Sequence, residues 1–116
     1  MKPVLVAALT VPLVALGALT APATAAVHTP VGAVCWWDQQ IRHGTTGSAP
    51  VTAVCRAGER VTVACYARGE TVIGPGMPPD DRWARITRRR DGLTGFLPLQ
   101  GLRFDEEQAV GRLPHC

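Results

Sequence analysis

Cys55-Arg56-Ala57-Gly58-Glu59-Arg60-Val61-Thr62-Val63-Ala64-Cys65 is the stretch whose reading decides the fold. Gly58 offers a turn position where positive φ carries no steric penalty, and β-branched residues follow at once. Beyond the turn, Val61, Val63 and Cys65 fall on one face of a strand, Thr62 and Ala64 on the other. Ahead of it, Val51-Thr52-Ala53-Val54 is a second strand-like run. Two strands meeting at a glycine corner bracketed by cysteines predict a small all-β domain.

Toward the C-terminus, Gly69 to Asp81 encloses Gly74-Pro75-Gly76-Met77-Pro78-Pro79. That run supports neither a helix nor a central strand, and predicts a long exposed loop. Trp83 to Thr87 alternates, with Ala84 and Ile86 on one face and Trp83, Arg85 and Thr87 on the other. Asp91-Gly92 signals a hairpin, Leu93 to Leu97 returns from it, and Pro98 ends the strand. Strands are therefore expected near 51–55, 60–65, 83–87 and 93–97, with Val61, Val63, Ile86, Leu97 and Leu102 inside. If Ile86 and Leu97 point inward, Trp83 and Phe96 point outward. At least one of the two then forms part of a shallow exposed aromatic patch, unless residues 66–80 fold over them. Asp105 to Val110 predicts a single helical turn, with acids at its start and Gly111 as its stop.

Toward the N-terminus, Cys35-Trp36-Trp37 favours extended backbone, Ile41-Arg42 ends a short strand, and His43 to Pro50 is loop. Adjacent tryptophans in a strand face opposite ways, one for the core and the other for an edge or a binding surface. The pattern does not choose between them. Further back, Lys2, the apolar run Val4 to Leu19 and the small residues Ala23-Thr24-Ala25 predict a cleaved signal peptide over residues 1–25. The run is short for a span of roughly 20 residues, and no basic stop-transfer cluster follows it. Secretion without a stable membrane anchor is the expectation.

Without the leader, 91 residues remain, enough for one domain with a modest core. Its 11 arginines against 9 acids give a net charge of +2, too balanced for a nucleic-acid partner. Four cysteines in a small exported domain predict two disulfides. Their separations of 20, 10 and 51 positions lack the close pairs of a zinc site, and no metal or cofactor is expected. If the chain reverses at Gly58-Glu59, antiparallel register sets Cys65 opposite Thr52. Cys55 and Cys65 are then about three residues out of register, roughly 10 Å along the strand. A bridge needs Cα atoms within about 7 Å, so the local pair is disfavoured. The pairing Cys35–Cys55 with Cys65–Cys116 is preferred over Cys35–Cys65 with Cys55–Cys116. It joins neighbouring strands across the His43–Pro50 loop and ties down the tail.

Nothing in the chain assembles a catalytic set. His28, His43 and His115 are scattered, and Asp80/Asp81 and Glu106/Glu107 are adjacent acids that point apart. With no nucleophile, base and orienting group in one place, the chain is not expected to be an enzyme. Arg88-Arg89-Arg90 reads either as a solvated hairpin tip or as a contact for an anionic wall polymer or acidic partner.

In order and spacing, several segments resemble the bacterial SH3-like (SH3b) domains. They are Ile41-Arg42-His43-Gly44, Val51 to Cys55, Gly58, Val61-Thr62-Val63, Trp83-Ala84-Arg85-Ile86 and Gly95-Phe96-Leu97, ending near Leu102. The resemblance covers residues 40–102 and implies a small SH3-like barrel of about five short antiparallel strands. Residues 26–39 are then an N-terminal extension, and 103–116 a C-terminal tail tied back by Cys116. The resemblance further implies a monomeric, non-enzymatic binding module, with a site over Trp83, Phe96 and Pro98 and with Arg42 at its edge. Its partner would be a cell-wall peptide or an extracellular protein. A groove tyrosine of the family falls at Gly101, and the early Tyr-Asp-Tyr signature is absent, which speaks against proline-rich ligands. The alternative is a secreted inhibitor of a hydrolase, with Gly74 to Asp81 as its insertion element. The Trp-Arg-Tyr triplet of the bacterial amylase inhibitors is missing from it.

Overall fold

Within residues 29–116, which the computed structural model describes, runs of β-branched and alternating apolar residues become strands. These are β1 (Val31–Cys35), β2 (Gln39–Arg42), β3 (Val51–Cys55), β4 (Arg60–Val72), β5 (Asp80–Arg88), β6 (Thr94–Pro98) and β7 (Leu102–Phe104). They form one antiparallel sheet in the order β3-β2-β6-β5-β4-β1-β7, curled into a half-barrel. The leader expected over residues 1–25, and His28, lie outside the described residues.

The all-β expectation holds, but among the described residues there are seven strands rather than about five. The stretch expected to be an N-terminal extension supplies β1, which lies between β4 and β7 and buries Ala33, Val34 and Cys35. Arg103 and Phe104, assigned to the tail, belong to β7. The long loop expected from Gly69 to Asp81 shrinks to residues 73–79, because β4 runs on to Val72 and β5 starts at Asp80. Trp36 and Trp37 occupy a bend after β1 instead of a strand, and neither enters the core.

Val61, Val63, Ile86, Leu97 and Leu102 are all buried, joined by Ile41 from β2 and Ala84 from β5. The face shared by Val61 and Val63 does not extend to Cys65. The β4–β5 register shifts after Val63, so Val63 stands opposite Ile86 while Cys65 stands opposite the exposed Arg85. A bulge of this kind inserts one residue, bends the strand and increases its twist.

The turn at Gly58 exists, with φ 83° at the glycine and Glu59 N donating to Arg56 O at 2.9 Å. This is the geometry of a turn that needs glycine in its third position. The strands on either side of it do not pair, however. β3 bonds only to β2, while β4 lies between β1 and β5. The turn docks on the end of β1, where Gly58 N donates to Cys35 O at 2.7 Å and Cys35 N to Glu59 O at 3.0 Å. Cys55, just ahead of the turn, is thereby set beside Cys35. The bridges are Cys35–Cys55 and Cys65–Cys116, with Cα separations of 6.3 and 4.9 Å. The partners match the sequence argument, but its hairpin premise is replaced by docking across the open side of the half-barrel. Two disulfides are in keeping with an oxidising, extracellular setting.

Two further ties close the structure. β1 covers β4 only from Arg60 to Val63. Past that point the tail takes over the same edge, with Tyr66 N donating to Pro114 O at 3.0 Å and Cys116 N to Tyr66 O at 2.8 Å. A 3₁₀ segment, Glu107–Arg112, stands where one helical turn was expected, and it buries Ala109 ahead of Leu113. At the other end, Arg88 turns inward and is only 6% exposed. Its Nη1 donates to Val54 O at 3.0 Å, and its Nε and Nη2 donate to Asp91 at 3.1 and 2.7 Å. A buried charge needs such partners. The first arginine of the triplet is therefore a structural clasp, not a solvated tip. The Arg88 guanidinium, helped by the Leu93 N–H, holds the Asp91 carboxyl down at about 2.

Three outcomes follow. Replacing Cys35 and Cys55 together by alanine lowers the unfolding free energy by about 3 kcal/mol, and replacing Cys65 and Cys116 by about 4, both read from urea denaturation. Under limiting reductant, alkylation and mass mapping find Cys65 and Cys116 labelled first, since Cys116 is exposed while Cys35 and Cys55 are buried. Because folded Asp91 titrates below its ordinary value of 3.8, its contribution is complete above that pH and is lost as pH falls through about 2. Urea midpoints of the wild type and Asp91→Asn accordingly differ at about pH 5 and converge toward about pH 2.

Candidate functional site

The site is built on the outer face of the sheet, where β5 and β6 run side by side. Trp83 stands opposite Pro98, and Arg85 opposite Phe96, with Arg42 of β2 on the far side of Phe96. Trp83 has the opposite facing to Ile86, as its place in the alternation requires, yet it is only 2% exposed. Of the two aromatics, Trp83 is thus covered, while Phe96 is half-buried. The bulges of β4, after Val63 and between Arg68 and Val72, bend its distal end over the indole.

Glu70 holds that cover in place by three bonds. Its N–H donates to Thr45 O at 2.9 Å, its carboxylate accepts from Gly47 N–H, and its carbonyl accepts from Trp83 Nε1 at 2.9 Å. Gly69 is needed for the close approach, because a β-carbon there would run into the backbone of Thr45. Trp83 thus serves as a fixed floor with its indole N–H already satisfied.

Above this floor lies a groove of about 220 Å³, lined by Gln39, Gln40, Arg42, Gly47, Val72, Trp83 and Pro98. Of the four residues singled out from the sequence, the structure brings Trp83, Pro98 and Arg42 to it. Phe96, half-buried beside Arg42, lies next to the groove without lining it. Arg42 is held by Ala49 O at 2.8 Å and by Gln40 Oε1 at 2.6 Å. Its Nε–H and the second hydrogen on each terminal nitrogen are left for a ligand. The groove is apolar along Val72, Trp83 and Pro98, and hydrogen-bonding along Gln40 and Arg42.

Sequence reasoning missed Gln39, Gln40, Gly47 and Val72. Gln39 carries one detectable signal. Its Nε2 donates to Gly101 O at 2.6 Å, and a β-carbon at Gly101 would collide with the Gln39 amide.

The remaining candidates disperse. Asp80 accepts from Arg82, whose guanidinium holds that carboxyl below the usual range, while Asp81 pairs with Arg68. Glu106 pairs with Arg112, and His115 bonds to the Tyr66 hydroxyl at 2.8 Å. Among the described residues, no group of three or more His, Cys, Asp or Glu side chains is placed to hold a metal ion. Trp36 is 52% exposed with the Arg103 guanidinium 5.9 Å from its ring centroid, and Trp37 packs toward Gly74. Comparison with protein-family models, with curated proteins and with solved structures finds no match.

Trp83→Phe removes the bond to Glu70 and lowers stability by about 1 kcal/mol. Trp83→Ala, which also opens a cavity, costs about 3–5 kcal/mol in the same urea assay.

Proposed function

We propose that this chain is a secreted, non-enzymatic SH3-like binding module that recognises a cell-envelope component or an extracellular protein. The observation that carries the reading is the convergence of Trp83, Pro98 and Arg42 on one groove. The SH3-like order of segments assigns those residues to ligand contact. An apolar floor flanked by amide and guanidinium donors suits an extended peptide, whose side chains need apolar contact and whose carbonyls need donors. A cell-wall peptide fits that chemistry, with its carboxylates falling to Arg42. Gly101 stands where the SH3-like pattern has a groove tyrosine, with the Gln39 amide packed against it, which speaks against proline-rich ligands.

A second reading, inhibition of a secreted hydrolase, is favoured by one feature. Ile73 is 72% exposed at the base of the Gly74–Pro79 tip, and the tip is braced by Gln100 Nε2 donating to Pro78 O at 3.1 Å. An exposed aliphatic side chain on a braced loop is suited to insertion in a partner's pocket.

A co-sedimentation assay on purified cell wall, run beside a panel of secreted hydrolases, separates the two. The wall is expected to retain the protein, and Arg42→Ala is expected to weaken retention about tenfold, one charge-assisted contact. Unchanged retention by Arg42→Ala, or inhibition of a hydrolase that Ile73→Ala abolishes, decides against the groove.

A further inference from the structure

We propose that the cleft between the Gly58 turn and the β5–β6 hairpin is a second ligand site, one that takes a phosphate group. The cleft measures about 520 Å³ and is lined by Glu59, Arg60, Arg89 and Arg90. It shares no residue with the groove over Trp83, and it does not depend on the function proposed for that groove. The β4–β5 ladder locks its two walls together, with Val61 opposite Arg88 and Arg89 N donating to Arg60 O at 3.1 Å. Arg88 anchors the hairpin from inside, through Val54 and Asp91, and so presents Arg89 and Arg90 outward.

The acids near the cleft are already engaged. Glu59 forms an ion pair with Arg90, Nε to Oε2 at 2.8 Å, and accepts from Arg56 N–H at 3.1 Å. Asp105 takes both of its bonds from Arg60 Nη1, at 2.9 Å each. Left open are Nε and Nη2 of Arg60, both terminal nitrogens of Arg90, and the entire guanidinium of Arg89. Arg89 has no carboxylate partner among the described residues, where seven of the arginines do. Three guanidinium forks against two neutralised carboxylates leave one positive charge and an excess of donors. A carboxylate, with two oxygens, occupies a single fork. A phosphate group offers more acceptor oxygens and can bridge forks from both walls.

The test is isothermal titration of the full disulfide-bonded protein at low salt with inorganic phosphate, long-chain polyphosphate and polyglutamate. Saturable binding of a phosphate form is expected, weakened about tenfold by Arg89→Ala. Arg89→Lys, which keeps the charge without the fork, is expected to fall between the two. Arg68→Ala, which removes the same charge from the distal hairpin, leaves binding unchanged. Binding of inorganic phosphate with this variant profile assigns the site to a free phosphate group, and binding of polyphosphate alone assigns it to a phosphate-bearing chain. No binding of either form overturns the proposal. So does equal binding of polyglutamate, or an equal loss in Arg68→Ala.

Discussion

The bridge between Cys35 and Cys55 is the constraint on which the other features rest. In the sheet, β3 is the strand at one edge and β1 lies next to the other edge, so the two are distant in the strand order. The disulfide joins them at a Cα separation of 6.3 Å and so holds the curled sheet closed. With the sheet curled, the Gly58 turn meets the end of β1 and satisfies its backbone, and Arg88 comes within reach of the Val54 carbonyl. Ile41 and Leu97, from strands that are not sequence neighbours, then bury against Val61 and Val63. A chain of this size has a small core, and a covalent tie across its open side compensates for the missing burial.

From that frame the groove follows by a short series of causes. A bulge after Val63 bends β4, and a second irregularity before Val72 turns its end inward over β5. Gly69 lets the strand touch Thr45, and Glu70 ties strand, loop and indole together. Trp83 becomes a rigid base rather than a mobile surface ring. Rigidity of this kind lowers the entropy lost when a ligand binds, which matters more for a shallow groove than for a deep one.

Strand positions and core residues were legible because alternation is a local property, and Val61, Val63, Ile86 and Leu97 each show it within a few neighbours. Pairing was less legible. Short strands joined by a tight turn usually pair, and only the non-local docking of the turn on Cys35 overrides that habit here. Val31 to Cys35 is hard to place because the bulky Trp36 and Trp37, which favour extended backbone, follow a strand that already ends at Cys35. In the site, Trp83, Pro98 and Arg42 stand out in the sequence by residue type, whereas Gln39, Gln40, Gly47 and Val72 reach the groove by topology alone. The cover over Trp83 rests on bulges in β4, and a bulge leaves no mark that propensity detects.

The tail has a consequence for how copies of the chain behave toward each other. Beyond Val63, β4 has lost β1 as a neighbour, and its backbone groups would face outward as an open sheet edge. Such an edge is a template for strand exchange and for the stacking that leads to fibrils. Residues 114–116 occupy it, pairing with Tyr66 in parallel and locked by Cys116 to Cys65. The second disulfide thus holds a cover over a strand edge open to self-association as well as bracing the fold.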